Sequence, residues 1–301
     1  MDGFEAIAAS AVPLTGGYGG ETFAVSAAGE DAVLKLYARR PDRAAVDAAL
    51  LRLVRGLLPV PRVLDAQVDQ VGGDPTYLLT ERLPGINLQD FLETADERQR
   101  ESIGVQLGEL LVRLSGMPFL SFGEFHGSEL RIESFGSGGL AQWLNHHVES
   151  FGLTREQVDS LRKVIDRAED LADSGVDRFC LVHSDFNAKN LLVDPETARI
   201  TGLVDWEFAH AGSPYADLGN LLRFGADPVL ERAALRVVRE TGPDLGDRLV
   251  ERSRAADLWA LIDLAARTGQ NPVTTAAHSL ITRMADTGDL AAGRPDPDVV
   301  H

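Results

Sequence analysis

Hydrophobic and polar residues alternate along residues 10–40, which is the pattern of β-strands rather than of helices. A glycine-rich segment, 16-GGYGG-20, interrupts the alternation, and a second turn falls at 27-AAGED-31. The spacing predicts a strand, a glycine-rich turn, a strand, a turn and a strand. Residues 43–56 carry apolar side chains at helical spacing instead, and two further strands are predicted at 63–64 and 77–80.

The pattern becomes helical after Leu83-Pro84-Gly85. Apolar residues recur at helical spacing over 97–114, and helices are also predicted within 139–173 and 229–289. The segment 178–206 is different, because its short apolar runs are separated by turn residues and predict strands.

This change of pattern divides the chain into two predicted domains. Residues 1–84 are mostly sheet with one main helix, and residues 85–301 are mostly helix. The fold class predicted from this order is α+β. The final segment, 293-GRPDPDVVH-301, has no helical period, and we expect it to be frayed.

Composition and charge narrow the range of partners. The chain carries 29 basic and 46 acidic residues, a formal net charge of −17. Such a protein repels nucleic acid and anionic membrane surfaces, so neither is an expected partner. The single cysteine, Cys180, lies in an apolar run and is expected to be a small buried hydrophobe. The chain has no basic N-terminal signal and no membrane-length apolar run, so we expect a cytoplasmic protein.

The densest group of polar residues lies in 181-LVHSDFNAKNLLVD-194. Asp185, at the end of a predicted strand, can accept the proton of an attacking alcohol. Asn190 follows five residues later, and Asp205 follows the next predicted hairpin. Amide and carboxylate oxygens suit Mg²⁺, so Asn190 and Asp205 are candidate metal ligands. Taken singly, Asp185 and Asn190 could be turn residues and Asp205 a helix N-cap.

Two N-terminal features could bind a nucleotide. Gly17, Tyr18, Gly19 and Gly20 would let the backbone approach phosphate oxygens, although a flexible hairpin turn has the same composition. Lys35, on the strand that follows, could reach the phosphates or could face solvent. The chain has only three lysines and otherwise uses arginine for its positive charges, which favours a specific role for Lys35.

The segment from His183 to Asn190, followed by Val204-Asp205-Trp206, resembles the aminoglycoside phosphotransferase and choline kinase-like family. The resemblance implies a protein-kinase-like bilobal fold, with a small, mostly antiparallel N-terminal lobe and a larger helical C-terminal lobe that carries short catalytic hairpins. It also implies transfer of the γ-phosphoryl group of ATP or GTP with Mg²⁺.

The resemblance further implies roles for individual residues. Asp185 would be the catalytic base, Asn190 and Asp205 would hold Mg²⁺, and Lys35 would bind the α- and β-phosphates. Residues 80–83, which include Glu81 and Leu83, would meet the nucleotide base.

Several other residues in or near these motifs are candidates for further roles. Asp47 stands where a glutamate usually pairs with the strand lysine, so the expected ion pair is longer or bridged by water. Lys189 could touch the γ-phosphate or face solvent. Trp206 and Glu207 are candidate acceptor contacts, and Asp217 is expected to brace the active site. Ser184 replaces the more usual glycine.

The acceptor is not fixed by this chemistry. An antibiotic is the first hypothesis: an aminoglycoside, a tuberactinomycin-type peptide or a nucleoside antibiotic, whose modification would confer resistance. The alternative is a metabolic alcohol such as choline, a sugar or homoserine. A catalytically silent kinase-like protein would lack one of Lys35, Asp185, Asn190 and Asp205, and all four are present.

Overall fold

The chain divides into two compact units, each built from separate stretches of sequence. The computed structural model describes residues 7, 10–14, 21–27, 29–68, 75–136, 138–173 and 178–297. Unit 1 comprises Met1–Gln99, Gly123–Ser134 and Asn187–His210. Unit 2 comprises Arg100–Phe122, Phe135–Phe186 and Ala211–His301.

The secondary structure of the described residues follows the α+β order predicted from the sequence. The strands are β1 (Val12–Pro13), β2 (Glu21–Ala27), β3 (Glu30–Leu36), β4 (Val63–Gln67), β5 (Tyr77–Glu81), β6 (Ile86–Asn87), β7 (Pro118–Phe119), β8 (Gly123–His126), β9 (Arg131–Glu133), β10 (Phe179–Val182), β11 (Leu191–Asp194), β12 (Arg199–Leu203) and β13 (His210–Gly212). The α-helices are α1 (Arg43–Val54), α2 (Leu88–Leu92), α3 (Glu97–Ser115), α4 (Leu140–His147), α5 (Arg155–Asp173), α6 (Ala216–Leu221), α7 (Pro228–Thr241), α8 (Leu249–Ala256), α9 (Leu258–Ala266) and α10 (Pro272–Thr287).

Unit 1 is built on an antiparallel sheet with the strand order β1-β2-β3-β5-β4. Strand β3 lies in the middle of this sheet, where Lys35 is paired with Leu78 and Leu34 with Leu79. Leu34 is only 1% exposed, and its neighbour Lys35 points to the opposite face because successive strand residues alternate. The central strand therefore fixes the position of Lys35 on one face of the sheet.

A second, smaller sheet in unit 1 has the order β12-β11-β6. Its hairpin, β11–β12, pairs Leu191 with Leu203. Gly202 lies on β12, where a Cβ atom would be 2.8 Å from Leu83 Cδ1 and 3.1 Å from Leu192 Cδ1. A side chain at this position would displace the leucines, so glycine permits the close packing of Leu83 against the hairpin.

Unit 2 is a helical body with a hydrophobic core among α4, α5, α9 and α10. These helices contribute apolar residues that are almost completely buried, namely Leu144, Leu161, Ile165, Leu258, Ile262, Leu280, Ile281 and Met284. The helix-rich C-terminal pattern read from the sequence is confirmed. Within the described residues, no helix combines the length and the apolar character needed to cross a bilayer.

The prediction that the C-terminal tail is frayed is wrong for residues 293–297. Arg294 is 8% exposed, and its Nη1 donates to the carbonyl of Arg223 at 2.8 Å. Arg254 Nη2 donates to the carbonyl of Pro295. The tail is held by hydrogen bonds from arginine side chains to backbone carbonyls. Such contacts produce no helical periodicity, so the sequence pattern did not reveal them. Residues 298–301 lie outside the described part of the chain.

Candidate active site

Strand β10 of unit 2 leads into the turn His183-Ser184-Asp185, which carries the predicted catalytic base. His183 is fully buried, and its Nδ1 accepts a hydrogen bond from the backbone N–H of Asp185 at 3.3 Å. Ser184 has φ +68°, in the left-handed region that residues other than glycine seldom adopt. Such a conformation persists only where the surrounding structure holds it.

The carboxylate of Asp217, at the start of α6, holds this turn. Its Oδ2 accepts from the backbone N–H of His183 and its Oδ1 from that of Ser184, both at 2.8 Å. Burial raises the pKa of Asp217 to about 7, although the two backbone hydrogen bonds favour the charged form. Each carboxylate oxygen has one amide donor, so Asp217 fixes the backbone that precedes Asp185.

Helix α6 approaches its neighbour α8 closely because residue 219 is glycine. A Cβ atom on Gly219 would lie 2.0 Å from the backbone oxygen of Ser253 and 2.9 Å from Cβ of Asp257. One residue further on, Asn220 Nδ2 donates to the carbonyl of Ser184 at 3.5 Å. The close packing thus fixes a helix that contacts the turn at two positions.

A buried ion pair lies beyond α6. Arg223 donates to both carboxylate oxygens of Asp257, through Nε at 2.8 Å and Nη2 at 2.7 Å. Burial lowers the pKa of Arg223, but attraction to Asp257 and, more weakly, to Asp185 outweighs it and leaves the pKa raised. The buried guanidinium of Arg223 thus lies close enough to Asp185 for the two charges to attract each other.

Cys180 lies on β10 and is 1% exposed. Burial raises the pKa of its thiol to about 12, and the nearby Asp217 adds to the effect. The thiolate is the reactive form of cysteine, so this residue is a packing group, as its apolar surroundings in the sequence suggested.

The β11–β12 hairpin of unit 1 brings the two candidate metal ligands together. Asn190 immediately precedes β11, and Asp205 lies two residues beyond the end of β12. The backbone N–H of Val204 donates to the carbonyl of Asn190 at 2.9 Å, so the hairpin pairing extends to its open end. Asp205 itself has φ +64°, a second left-handed non-glycine residue. Both candidate ligands thus lie at one end of one hairpin.

Lys35 contacts the candidate metal ligand Asp205. Its Nζ lies 2.9 Å from Asp205 Oδ1 and 3.6 Å from Glu207 Oε2, and its side chain is 15% exposed. Burial lowers the pKa of Lys35, but Asp205, Asp47 and Glu207 together outweigh that effect and leave the pKa above its usual value. The lysine is therefore charged at neutral pH and is available to a phosphate group.

Asp47 is not the direct partner of Lys35, and no ion pair within 4.0 Å joins these two described residues. Its Oδ2 accepts from the Tyr37 hydroxyl at 2.6 Å, and its Oδ1 accepts from Arg43 Nε at 2.7 Å. Burial and the neighbouring Asp47 raise the pKa of Tyr37 well above its usual value, so the phenol remains a donor. Asp47 influences Lys35 only through its charge.

The remaining predicted nucleotide contacts are placed as follows. Glu81 ends β5, where its Oε1 accepts from the backbone N–H of Arg62 at 2.8 Å. Leu83 packs over Gly202. Lys189 is exposed, and its carbonyl accepts from Asn87 Nδ2 at 2.6 Å.

The candidate phosphate cradle, Gly17, Tyr18, Gly19 and Gly20, lies outside the described residues. Its role in nucleotide binding stays a prediction.

The two predicted acceptor contacts have different surroundings. Trp206 is 3% exposed, and its Nε1 donates to the carbonyl of Leu203 at 3.1 Å, so the indole supports the loop after β12. Glu207 is buried, and its carboxylate faces Lys35. Their contact with an acceptor stays a prediction.

The sequence profile of the phosphotransferase enzyme family matches residues 10–265. The chain belongs to this family. The resemblance read from residues 183–190 and 204–206 is thereby confirmed.

Individual curated proteins are also similar to this chain. It is 30% identical over 172 residues to acyl-CoA dehydrogenase family member 10 of Mus musculus, covering 54% of this chain and 15% of that protein. It is 26% identical over 230 residues to an aminoglycoside 3'-phosphotransferase of Streptomyces fradiae, covering 72% and 76%. The chain spans less than a quarter of the length of the first curated relatives it matches, with shares of 15%, 22% and 24%.

A solved structure supports the same fold. A thermostable mutant of an aminoglycoside phosphotransferase, in ternary complex with ADP and hygromycin B, superposes with a TM-score of 0.67 and 20% identity over 95% of each chain. The fold of this chain is therefore that of the aminoglycoside phosphotransferases, which confirms the predicted protein-kinase-like fold.

Sequence reasoning missed several residues that shape the candidate site. Arg43, Tyr37, Asn220 and Arg223 are all buried or partly buried and hydrogen-bonded to site segments or to their supports. Only one available signal could have found Arg43, namely its position four residues before Asp47, where a helix places two side chains side by side. The others depend on contacts between distant parts of the chain.

Proposed function

We propose that this phosphotransferase moves the γ-phosphoryl group of ATP or GTP to a hydroxyl group of an antibiotic. The proposal is supported above all by Asp185, the last residue of a turn whose two preceding backbone amides donate to Asp217. A base held in this way can accept a proton from an attacking alcohol without rearranging first.

In this reaction the protein contributes positioning and charge stabilisation rather than covalent chemistry. The acceptor oxygen forms a bond to the γ-phosphorus while its proton passes to Asp185, and the bond from that phosphorus to the bridging oxygen of the nucleotide breaks. The products are a phosphate ester and the nucleoside diphosphate. Lys35 would bind the phosphates of the nucleotide, since its ammonium group is charged and partly accessible.

The donor set at the β11–β12 hairpin is suited to Mg²⁺. An amide oxygen from Asn190 and a carboxylate from Asp205 are hard oxygen ligands, and Mg²⁺ usually takes one or two carboxylates together with waters and phosphate oxygens. When bound, the ion would neutralise charge on the phosphates. Asp205 would then exchange its contact with Lys35 for the metal, and Lys35 would be released to the phosphates.

An antibiotic acceptor is favoured by two observations. The Streptomyces fradiae relative is named as an aminoglycoside 3'-phosphotransferase, and the superposed structure holds hygromycin B. The net charge of −17 also favours a cationic acceptor of the aminoglycoside kind. The Mus musculus relative is not named for antibiotic modification, which makes a metabolic alcohol the second candidate.

The test is a mass-spectrometric screen of hydroxylated antibiotics and metabolic alcohols with Mg²⁺ and a mixture of ATP and GTP. Wild type is compared with Asp185→Asn and with Asp170→Asn, which changes an exposed carboxylate on α5. We expect phosphate on an antibiotic with wild type and Asp170→Asn and none with Asp185→Asn. A product on a metabolic alcohol alone would favour the second candidate, and full turnover by Asp185→Asn would contradict the role of this base.

A further inference from the structure

Arg43 joins helix α1 to the segment that follows Asp205. Its Nη2 donates to the carbonyl of Trp206 at 2.7 Å and to that of Ala209 at 3.2 Å, while its Nε donates to Asp47 at 2.7 Å. Arg43 is 2% exposed and Asp47 is 3% exposed. A single guanidinium group therefore fixes a helix and two backbone carbonyls at once.

The segment held by Arg43 begins in a conformation that needs support. Asp205 has φ +64°, and a residue of this kind keeps its conformation only where its neighbours enforce it. On one side, Lys35 contacts the carboxylate of Asp205. On the other side, Arg43 donates to the carbonyls of Trp206 and Ala209, which lie one and four residues after Asp205. The direction of the Asp205 side chain thus depends on contacts at both ends.

Asp47 keeps Arg43 in this arrangement. The two side chains lie four residues apart on α1, and the second carboxylate oxygen of Asp47 is held by the Tyr37 hydroxyl at the end of β3. Taking two charges out of water is unfavourable, so such a pair persists where further hydrogen bonds satisfy it. The clamp formed by Tyr37, Arg43 and Asp47 meets this condition, because both oxygens of Asp47 and two nitrogens of Arg43 have partners.

We propose that Arg43 is a positioning residue for metal binding: it holds the 205–209 segment so that the Asp205 carboxylate is set for Mg²⁺. The inference rests on the proposed function, in which Asp205 is a metal ligand. It explains why the acid on α1 does not pair directly with Lys35. In this chain the acid fixes the arginine, and the arginine fixes the metal-binding segment.

The experiment measures how nucleotide binding depends on Mg²⁺, by calorimetric titration of ATP and GTP at a series of Mg²⁺ concentrations and in EDTA. Arg43→Lys keeps the charge, but its single nitrogen cannot reach Asp47 and both carbonyls together. The triple variant Tyr37→Phe, Arg43→Met, Asp47→Leu removes the clamp without leaving a buried charge unpaired. Arg40→Met is the matched control, because Arg40 is a more exposed arginine close by that pairs with Glu124.

We expect both clamp variants to raise the Mg²⁺ concentration for half-maximal nucleotide binding by about 10–100-fold, the usual effect of losing a residue that orients a metal ligand. The affinity of the clamp variants for metal-free nucleotide should stay at the wild-type level. The Mg²⁺ concentration for half-maximal nucleotide binding by Arg40→Met should also match that of wild type. A folded clamp variant with wild-type Mg²⁺ dependence would overturn the inference, and so would an equal loss of affinity in EDTA.

Asp205→Ala separates this inference from the proposed function. If Asp205→Ala removes the Mg²⁺ dependence and the clamp variants do not weaken it, only the role of Arg43 is refuted. If Asp205→Ala leaves the Mg²⁺ dependence intact, or wild type binds neither nucleotide, the proposed function is refuted and the inference falls with it.

Discussion

Lys35 Nζ lies 2.9 Å from Asp205 Oδ1, so the lysine expected to bind phosphate is paired with the carboxylate expected to bind the metal. Without a bound nucleotide or metal, the two side chains form an ion pair with each other. Both would change partner when a metal–nucleotide complex enters. This contact therefore links the residue proposed to bind phosphate to the residue proposed to bind the metal. The two roles can be tested separately by replacing each residue in turn.

Replacing Lys35 by methionine should reduce kcat/KM for the nucleotide by about 10²–10³-fold, because a preorganised cation is lost from the phosphates. Steady-state kinetics with varied nucleotide measures this change. Lys163→Met is the matched control, since Lys163 is an exposed lysine on α5. An equal loss in both variants would show that Lys35 has no specific role.

Replacing Asp217 by asparagine should lower kcat by about 10²-fold, a size typical of a misplaced catalytic group. Asparagine has one acceptor oxygen, so either His183 or Ser184 would lose the partner of its backbone amide. Because the contacts lie at the turn before Asp185, nucleotide affinity should be unchanged. Kinetics combined with nucleotide titration checks this. A reduced affinity with normal kcat would contradict the role of Asp217 as a brace for the base.

Replacing Gly219 by alanine should destabilise the fold by about 1–3 kcal/mol or more, as overpacking does in well-packed cores. The added Cβ atom would lie 2.0 Å from the backbone oxygen of Ser253, and backbone cannot move aside as a flexible side chain can. Chemical denaturation measures the free energy of unfolding. Gly136→Ala is the control, because a Cβ atom at Gly136 has no neighbour within 4 Å. Equal stability of the two variants would contradict the close packing of α6 on α8.

Replacing Glu231 by glutamine should stabilise the protein more at pH 8.5 than at pH 5. Burial raises the pKa of Glu231 to about 7, so the folded protein keeps a proton that the unfolded chain releases near pH 4.5. The contribution of Glu231 to the free energy of unfolding therefore falls as pH rises from about 4.5 to about 7, by at most roughly 3 kcal/mol. Glutamine can still accept the backbone N–H of Asp227 and never ionises.

The measurement for Glu231 is the free energy of unfolding at several pH values. Glu240→Gln, at an exposed position of the same helix, is the control and should shift the curve little at any pH. A pH-independent difference between wild type and Glu231→Gln would show that the carboxyl group ionises in the folded protein as it does in the unfolded chain.

Much of the fold could be predicted from the sequence, because its elements are long and strongly periodic. The helix predicted over 43–56 is observed as Arg43–Val54. The apolar runs at 179–182 and 191–193 lie within strands, and the run at 200–204 overlaps the strand Arg199–Leu203. The short strands β7, β8 and β9 were not predicted. They contain two to four residues, which is too few to establish a period.

The candidate site was predicted only where chemistry and spacing occur together in one segment. Asp185 and Asn190 lie five residues apart, and Asp205 follows a single hairpin, so local pattern was enough to choose them. The contacts of Arg43 with the segment after Asp205 were not predictable in the same way. Arg43 Nη2 bonds to carbonyls more than 160 residues away, and backbone carbonyls carry no signal of their residue type.

The buried thiol of Cys180 has a practical consequence for studying motion in this protein. It is the only cysteine in the chain, and its environment disfavours the thiolate that alkylating reagents attack. A cysteine introduced at an exposed position would therefore take up a fluorescent or spin label selectively, with no need to remove the native one. Slow labelling of Cys180 itself would report the transient opening of the strand that leads to the base.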